Sequence, residues 1–174
     1  MNLTWFSQSW ITRDLFVGEL NFPSHKSDEL DYFTESVCKR MLTKLLGSEL
    51  YNLFVDEGYT EETSNIFYKL REGGTFEKQD GCVWNYEGLT EMMQYFIIAE
   101  MTGKGFKWGE DSTAVRRQTN NSENLTPIEH RGVSFDVFNK GVSKYFSAQE
   151  YLREKYKDFP TFKTQRIRIK TLIR

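Results

Sequence analysis

One stretch restricts the fold of this chain more than any other. From Tyr86 to Met101 the sequence reads YEGLTEMMQYFIIAEM, with Leu89, Met92, Met93, Tyr95, Phe96, Ile97, Ile98 and Ala99 spread around every side of a helix. A helix that is apolar all round must be enclosed by other elements rather than laid on a surface. It is expected to be the central helix of the fold, ended by Gly103 and Gly105.

The rest of the chain supplies helices to surround it. Leu30, Phe33, Val37, Met41, Leu42 and Leu45 recur at steps of three and four, and Ser27, Asp28 and Glu29 suit the start of such a helix. Gly47 interrupts that pattern. A short second helix is expected from Ser48 to Gly58, and a third from Thr60 to the glycines at 73 and 74. A last long helix is expected from Ser134 to about Asp158, with Phe135, Phe138, Val142, Tyr145, Phe146, Leu152 and Tyr156 near one face. Gly141 is a possible break in it, and Pro160 stops it.

The ends have a different period. TQRIRIKTLIR alternates Arg166, Ile167, Arg168, Ile169 and Lys170, which predicts an extended strand with one basic and one apolar face. NLTWFSQSWIT at the start is a candidate antiparallel partner or another edge. Isolated two-stranded ribbons are marginal in water, so these ends are expected to pack on helices or on another chain. The fold class is therefore mainly α: a small helical bundle around a central apolar helix, with a long inter-helix arm and short strand-like terminal extensions. At 174 residues and 39% hydrophobic composition, a single domain over residues 1–174 is expected, with a core at about 28–160.

The arm is STAVRRQTNNSENLTPIEHRGV, residues 112–133, set between apolar segments. It is far longer than the roughly 4–6 residues of an ordinary connection. It reads either as a disordered insertion or as an arm ordered by another subunit, with Arg116, Arg117 and Arg131 as charged anchors and Asn120 and Asn121 beside them.

Chemistry is sparse. His25 and His130 stand in polar segments without metal-ligand spacing, and Cys38 and Cys82 belong to no CxxC pattern, so no metal and no cofactor are expected and both thiols are read as reduced. Glycines among lysines in TGKGFKWGE follow a helix, whereas a phosphate loop lies between a strand and a helix. Carboxylate spacing singles out no general acid and base, and three Asn-x-Ser/Thr triplets, at Asn2, Asn120 and Asn124, read as chance matches. No enzyme is expected. With a net charge of −2, no basic leader and no membrane-length apolar run, the chain is expected to be a soluble, unprocessed intracellular product without membrane partners. The basic tail, with Lys163, Arg166, Arg168, Lys170 and Arg174 and no acid, has three candidate partners: phosphates, an acidic protein surface, or water.

The order of parts resembles the head-tail connector, or neck-ring adaptor, proteins of tailed bacteriophages, in particular those of crAss-like and related phages of Bacteroidota. The likeness rests on MLTKLLGSELYNLF, YEGLTEMMQYFIIAEM, TNNSEN and FNKGVSKYFSAQEYLREKYKDFPTF, between about residues 28 and 162. The resemblance implies a structural virion protein that assembles, usually as twelve copies, into a ring below the portal protein and around the DNA channel. It implies contacts with portal and adjoining connector or tail proteins, passage of genomic DNA without sequence-specific binding, and synthesis in the host cytoplasm before incorporation into the neck. Candidate interface residues are Arg116, Arg117, Asn120, Asn121, Arg131, Arg166, Arg168 and Lys170. The alternative is a helical nucleic-acid-binding or regulatory protein that uses its basic tail.

Overall fold

The computed structural model describes residues 10–16, 27–57, 63–78, 80–103, 115–118, 121–124 and 127–171. They are mainly helical: α1 (Ser27–Glu57), α2 (Ile66–Glu72), α3 (Gly88–Gly103) and α4 (Pro127–Glu154), with strands β1 (Gly74–Glu77), β2 (Val83–Tyr86), β3 (Val115–Gln118) and β4 (Asn121–Asn124) in two antiparallel pairs.

In α1 the three-four spacing becomes burial. Leu30, Phe33, Val37, Met41, Leu42 and Leu45 are all buried. Gly47 leaves helical geometry (φ 75°, ψ 166°) and divides α1 into two helical segments, after which Leu50 and Phe54 turn into the same core. A positive φ at that point costs glycine little and any other residue more. The stop expected at Gly58 lies outside the described residues.

The third helix starts later than its sequence suggests. Asn65 accepts the Phe67 N–H through Oδ1 at 2.8 Å and forms the cap, so α2 begins at Ile66 rather than Thr60. Thr63 and Ser64 form a turn ahead of it.

Between α2 and α3 stands a hairpin that the helical reading did not anticipate. Glu77 pairs with Val83 and Gly74 with Tyr86. At its tip the Lys78 N–H donates to the Cys82 carbonyl, the Cys82 N–H donates to Asp80 Oδ1, and Gly81 takes a φ of 82°. At its root the chain crosses itself closely. A Cβ on Gly73 would lie 2.2 Å from the Tyr86 carbonyl oxygen, and one on Gly88 would lie 2.5 Å from the Arg71 carbonyl oxygen.

An aromatic row ties these parts together. Trp10 meets Phe54, Phe54 meets Phe67, Phe67 meets Phe159, Phe159 meets Tyr151, and Tyr151 stacks on Tyr86 at 4.4 Å. The Tyr86 hydroxyl donates to the Leu70 carbonyl, so its polar end is satisfied inside the core. Residues 10–12 of the expected N-terminal strand instead belong to a segment with one short 3-10 turn, Arg13–Leu15, in which Trp10, Ile11 and Phe16 are buried. Trp10 Nε1 donates to Thr90 Oγ1 and Gln94 Nε2 donates to the Leu15 carbonyl, which fixes that segment on α3. Residues 2–9 lie outside the described residues.

Helix α3 packs on α1, α2 and most extensively on α4. Leu89, Met92, Met93, Phe96, Ile97, Ile98, Ala99 and Met101 are buried along it. Helix α4 is continuous through Gly141, so no break occurs there. Close packing favours glycine there: a Cβ on Gly141 would lie 3.0 Å from the Phe96 ring and 3.2 Å from Tyr95 Cβ. Its inward face is formed by Val142, Tyr145, Ala148, Gln149 and Leu152, whereas Phe146 and Tyr156 are about half exposed and fall off that face. The helix ends at Glu154 in a series of turns ahead of Pro160.

Candidate interaction surfaces

The polar insertion is shorter than the sequence suggests. Helix α4 begins at Pro127, seven residues before Ser134, because proline at the first helical position gives up only an N–H that has no helical partner there. Glu129 in the first turn complements the helix dipole. Arg131 is therefore an exposed residue of α4 rather than part of a loop.

Ahead of α4, β3 and β4 pair antiparallel. Arg116 faces Glu123 in the register, Arg117 faces Ser122, and Gln118 faces Asn121. Thr119 and Asn120, between the two strands, lie outside the described residues. Seven of the eight strand residues are polar, Val115 being the exception. Directly opposed residues of opposite charge favour this register, yet a ribbon of this composition has little apolar surface with which to hold itself.

Both roots of the insertion are tied to each other. Ser134 is buried and donates through Oγ to the Ala99 carbonyl at 2.7 Å, and a Cβ on Gly103 would lie 3.0 Å from that Oγ. The end of α3 and the first turns of α4 are thus in direct contact.

The basic tail is not a strand. Residues 163–171 have no regular secondary structure, and the period-two burial fails, since Ile167 is buried but Ile169 is 62% exposed. The tail lies along α4 in the opposite direction. Asn139 Nδ2 donates to the Lys170 carbonyl at 2.8 Å and Asn139 Oδ1 accepts the Lys170 N–H at 2.8 Å. Gln149 Nε2 donates to the Gln165 carbonyl at 2.6 Å, and Arg153 Nε donates to Thr164 Oγ1 at 3.2 Å. Side chains of a helix take the place of a neighbouring strand. The Lys170 ammonium sits 4.2 Å from the Phe138 ring centre, while Arg166 and Arg168 are exposed. Asn139 and Gln149 carry this arrangement and were not singled out in the sequence, where two isolated amides on a helix give no signal.

The hairpin β1–β2 is held to α3 and α4 by charge. Lys144 pairs with Glu87 at 2.7 Å and Glu91 at 3.0 Å, and Lys78 pairs with Glu150 while lying over the Trp84 ring. Burial alone would lower the Lys144 pKa, but hydrogen bonds to Glu87 and Glu91 outweigh it and the net shift is upward. The hydrogen bond to Glu150 likewise raises that of Lys78.

A cleft of about 380 Å³ lies beside the hairpin root, lined among others by Lys69, Gly73, Phe76, Tyr151, Lys155 and Asp158. Burial, with the nearby Asp158 charge, pushes the Tyr151 pKa up to about 12, so this hydroxyl is a poor base at neutral pH. Cys38 is buried and its thiol is pushed up by burial, whereas Cys82 is exposed, and the two are not joined. Among the described residues no group of His, Cys, Asp or Glu is placed to hold a metal ion, and no helix is long and apolar enough to cross a membrane. The side chains of His25 and His130 and of the arm residues Arg116, Arg117 and Asn121 lie outside what the structure describes.

No protein-family model matches the chain, and no curated protein or solved structure matches it.

Proposed function

We propose that this protein is a structural ring subunit of a bacteriophage head-tail neck, placed below the portal protein and around the DNA channel. The observation that carries the reading is the polar β3–β4 ribbon, which follows a helix end locked by Ser134 and Ala99. A ribbon with one apolar residue in eight gains little from its own domain and much from a partner that completes its sheet or covers it. Contacts between like subunits in a ring are heterologous, so each copy must present a surface that a different surface of the next copy accepts. An arm meets that requirement without enlarging the core. In this reading α3 is the centre of the bundle, the ribbon is the inter-subunit arm anchored by Arg116, Arg117, Asn120 and Asn121, and Arg131 adds a charge on the first turns of α4. The neighbours are a homo-oligomeric ring of about twelve copies, as the family resemblance implies, together with portal and adjoining connector or tail proteins. The net charge of −2 suits a channel that lets DNA slide, because fixed positive charge would hold its phosphates.

The exposed row of Lys163, Arg166, Arg168 and Lys170 favours a second reading, a nucleic-acid-binding or regulatory protein. Two measurements separate them. A chain lacking residues 113–125, a cut that spares α4, should stay folded but fail to co-sediment with its portal protein. Assembly unchanged by that deletion rejects the arm. Duplex-DNA affinity that collapses steeply with added salt would favour the second reading instead.

A further inference from the structure

We infer that the groove of α4 occupied by residues 163–171 is a docking site for an extended peptide, and that the C-terminal tail of a second copy of this chain can fill it. The inference needs only that two copies meet, so it stands apart from the neck-ring reading.

The geometry is that of a peptide receptor. Asn139 binds both the N–H and the carbonyl of residue 170, the paired recognition that one β-strand gives another, and Gln149 binds the carbonyl of residue 165. Ten helical residues separate Asn139 from Gln149, a rise of about 15 Å. Five residues separate Gln165 from Lys170, which span about 17 Å only when nearly extended. Helix and tail therefore keep step, with the tail running antiparallel. Most of these contacts reach the peptide backbone, with Ile167 buried and Lys170 over Phe138 adding side-chain selection.

Such an occupant is exchangeable. Residues 163–171 have no regular secondary structure and include one buried residue, Ile167, and they follow the turns at residues 155–162. A segment held mainly by side chains of one helix meets the same partners when it arrives from another molecule. This is the arrangement that lets identical elements swap between protomers at low cost. The exposed Ile169 and the basic Arg166 and Arg168 are carried along without a role in the groove.

The test uses the full chain and a fluorescent peptide of residues 163–171 as the second copy's tail. Lys170→Pro in the chain removes the N–H that Asn139 accepts and so loosens the chain's own tail. The Lys170→Pro chain is expected to bind the peptide saturably and about tenfold more tightly than the wild type, whose tethered tail competes at high effective concentration. Adding Asn139→Ala to the Lys170→Pro chain should weaken the peptide about tenfold, and Ile167→Asp in the peptide should abolish binding. Failure of the Lys170→Pro chain to take up the peptide, or equal uptake with Asn139→Ala or by the Ile167→Asp peptide, overturns the inference.

Discussion

Gly141 of α4 lies so close to Phe96 of α3 that a Cβ at position 141 would sit 3.0 Å from two carbons of the ring. Phe96 is buried and packs in turn on Phe138 at 5.2 Å, so the ring has little room to withdraw. In an exposed helix, replacing glycine with alanine gains roughly 1 kcal/mol. Here the opposite sign is expected. Gly141→Val should destabilise the fold by about 1–3 kcal/mol through overpacking, read as a lowered urea midpoint. A midpoint unchanged or raised would show that the two helices do not approach this closely.

The hairpin root is expected to be still less tolerant. Gly73 and Gly88 both have positive φ, and added Cβ atoms would meet backbone oxygens at 2.2 and 2.5 Å. Backbone cannot rotate away as a side chain can. Gly73→Ala should cost more than about 3 kcal/mol, since it combines a clash with a strained conformation. Gly47→Ala has open space around it and should cost only about 1–2 kcal/mol. Equal losses at the two positions would contradict the crossing at the root.

Stability should fall in alkali. Burial raises Tyr86 well above its ordinary value of 10.0, and raises Tyr145 and Tyr151 to about 12. Each folded pKa is above the unfolded one, so the contribution is complete below about pH 10; that of Tyr145 and Tyr151 is lost as pH rises toward 12, and Tyr86 acts in the same direction. Tyr145 and Tyr151 should each remove at most about 1.4 kcal/mol per pH unit in that window. Cys38, buried and raised from 9.0, extends the decline to slightly lower pH. Urea midpoints measured between about pH 8 and pH 11 should drop, with part of the tyrosinate absorbance appearing only on unfolding. Smooth ionisation of all nine tyrosines in the folded protein would contradict the burial of these three.

The helical character was legible because burial follows period. Leu30, Phe33, Val37, Met41, Leu42 and Leu45 were placed by spacing alone, and Gly47 marked the interruption of α1. The hairpin of residues 74–86 carried a usable signal, Asp80-Gly81 between Thr75-Phe76 and Val83-Trp84, but its strands have only four residues each. Helix starts shifted wherever a residue outside the apolar period set them, as the cap Asn65 and the first helical residue Pro127 do. The tail shows the limit most clearly. Alternation of Arg166, Ile167, Arg168 and Ile169 signals an extended chain, but period two cannot say that Asn139 and Gln149, rather than another strand, receive its backbone. Candidate residues were dispersed for the same reason: Arg131 belongs to α4, Arg116 and Arg117 to a ribbon, and Lys170 to the strapped tail.

The proposed function is tested most directly by electron microscopy of the purified protein, imaged alone and after mixing with its portal protein. Class averages are expected to show closed rings with a central channel wide enough for duplex DNA, seated on the portal, and isolated small particles when residues 113–125 are deleted. Monodisperse monomers under both conditions, with no density added to the portal, would contradict the ring reading.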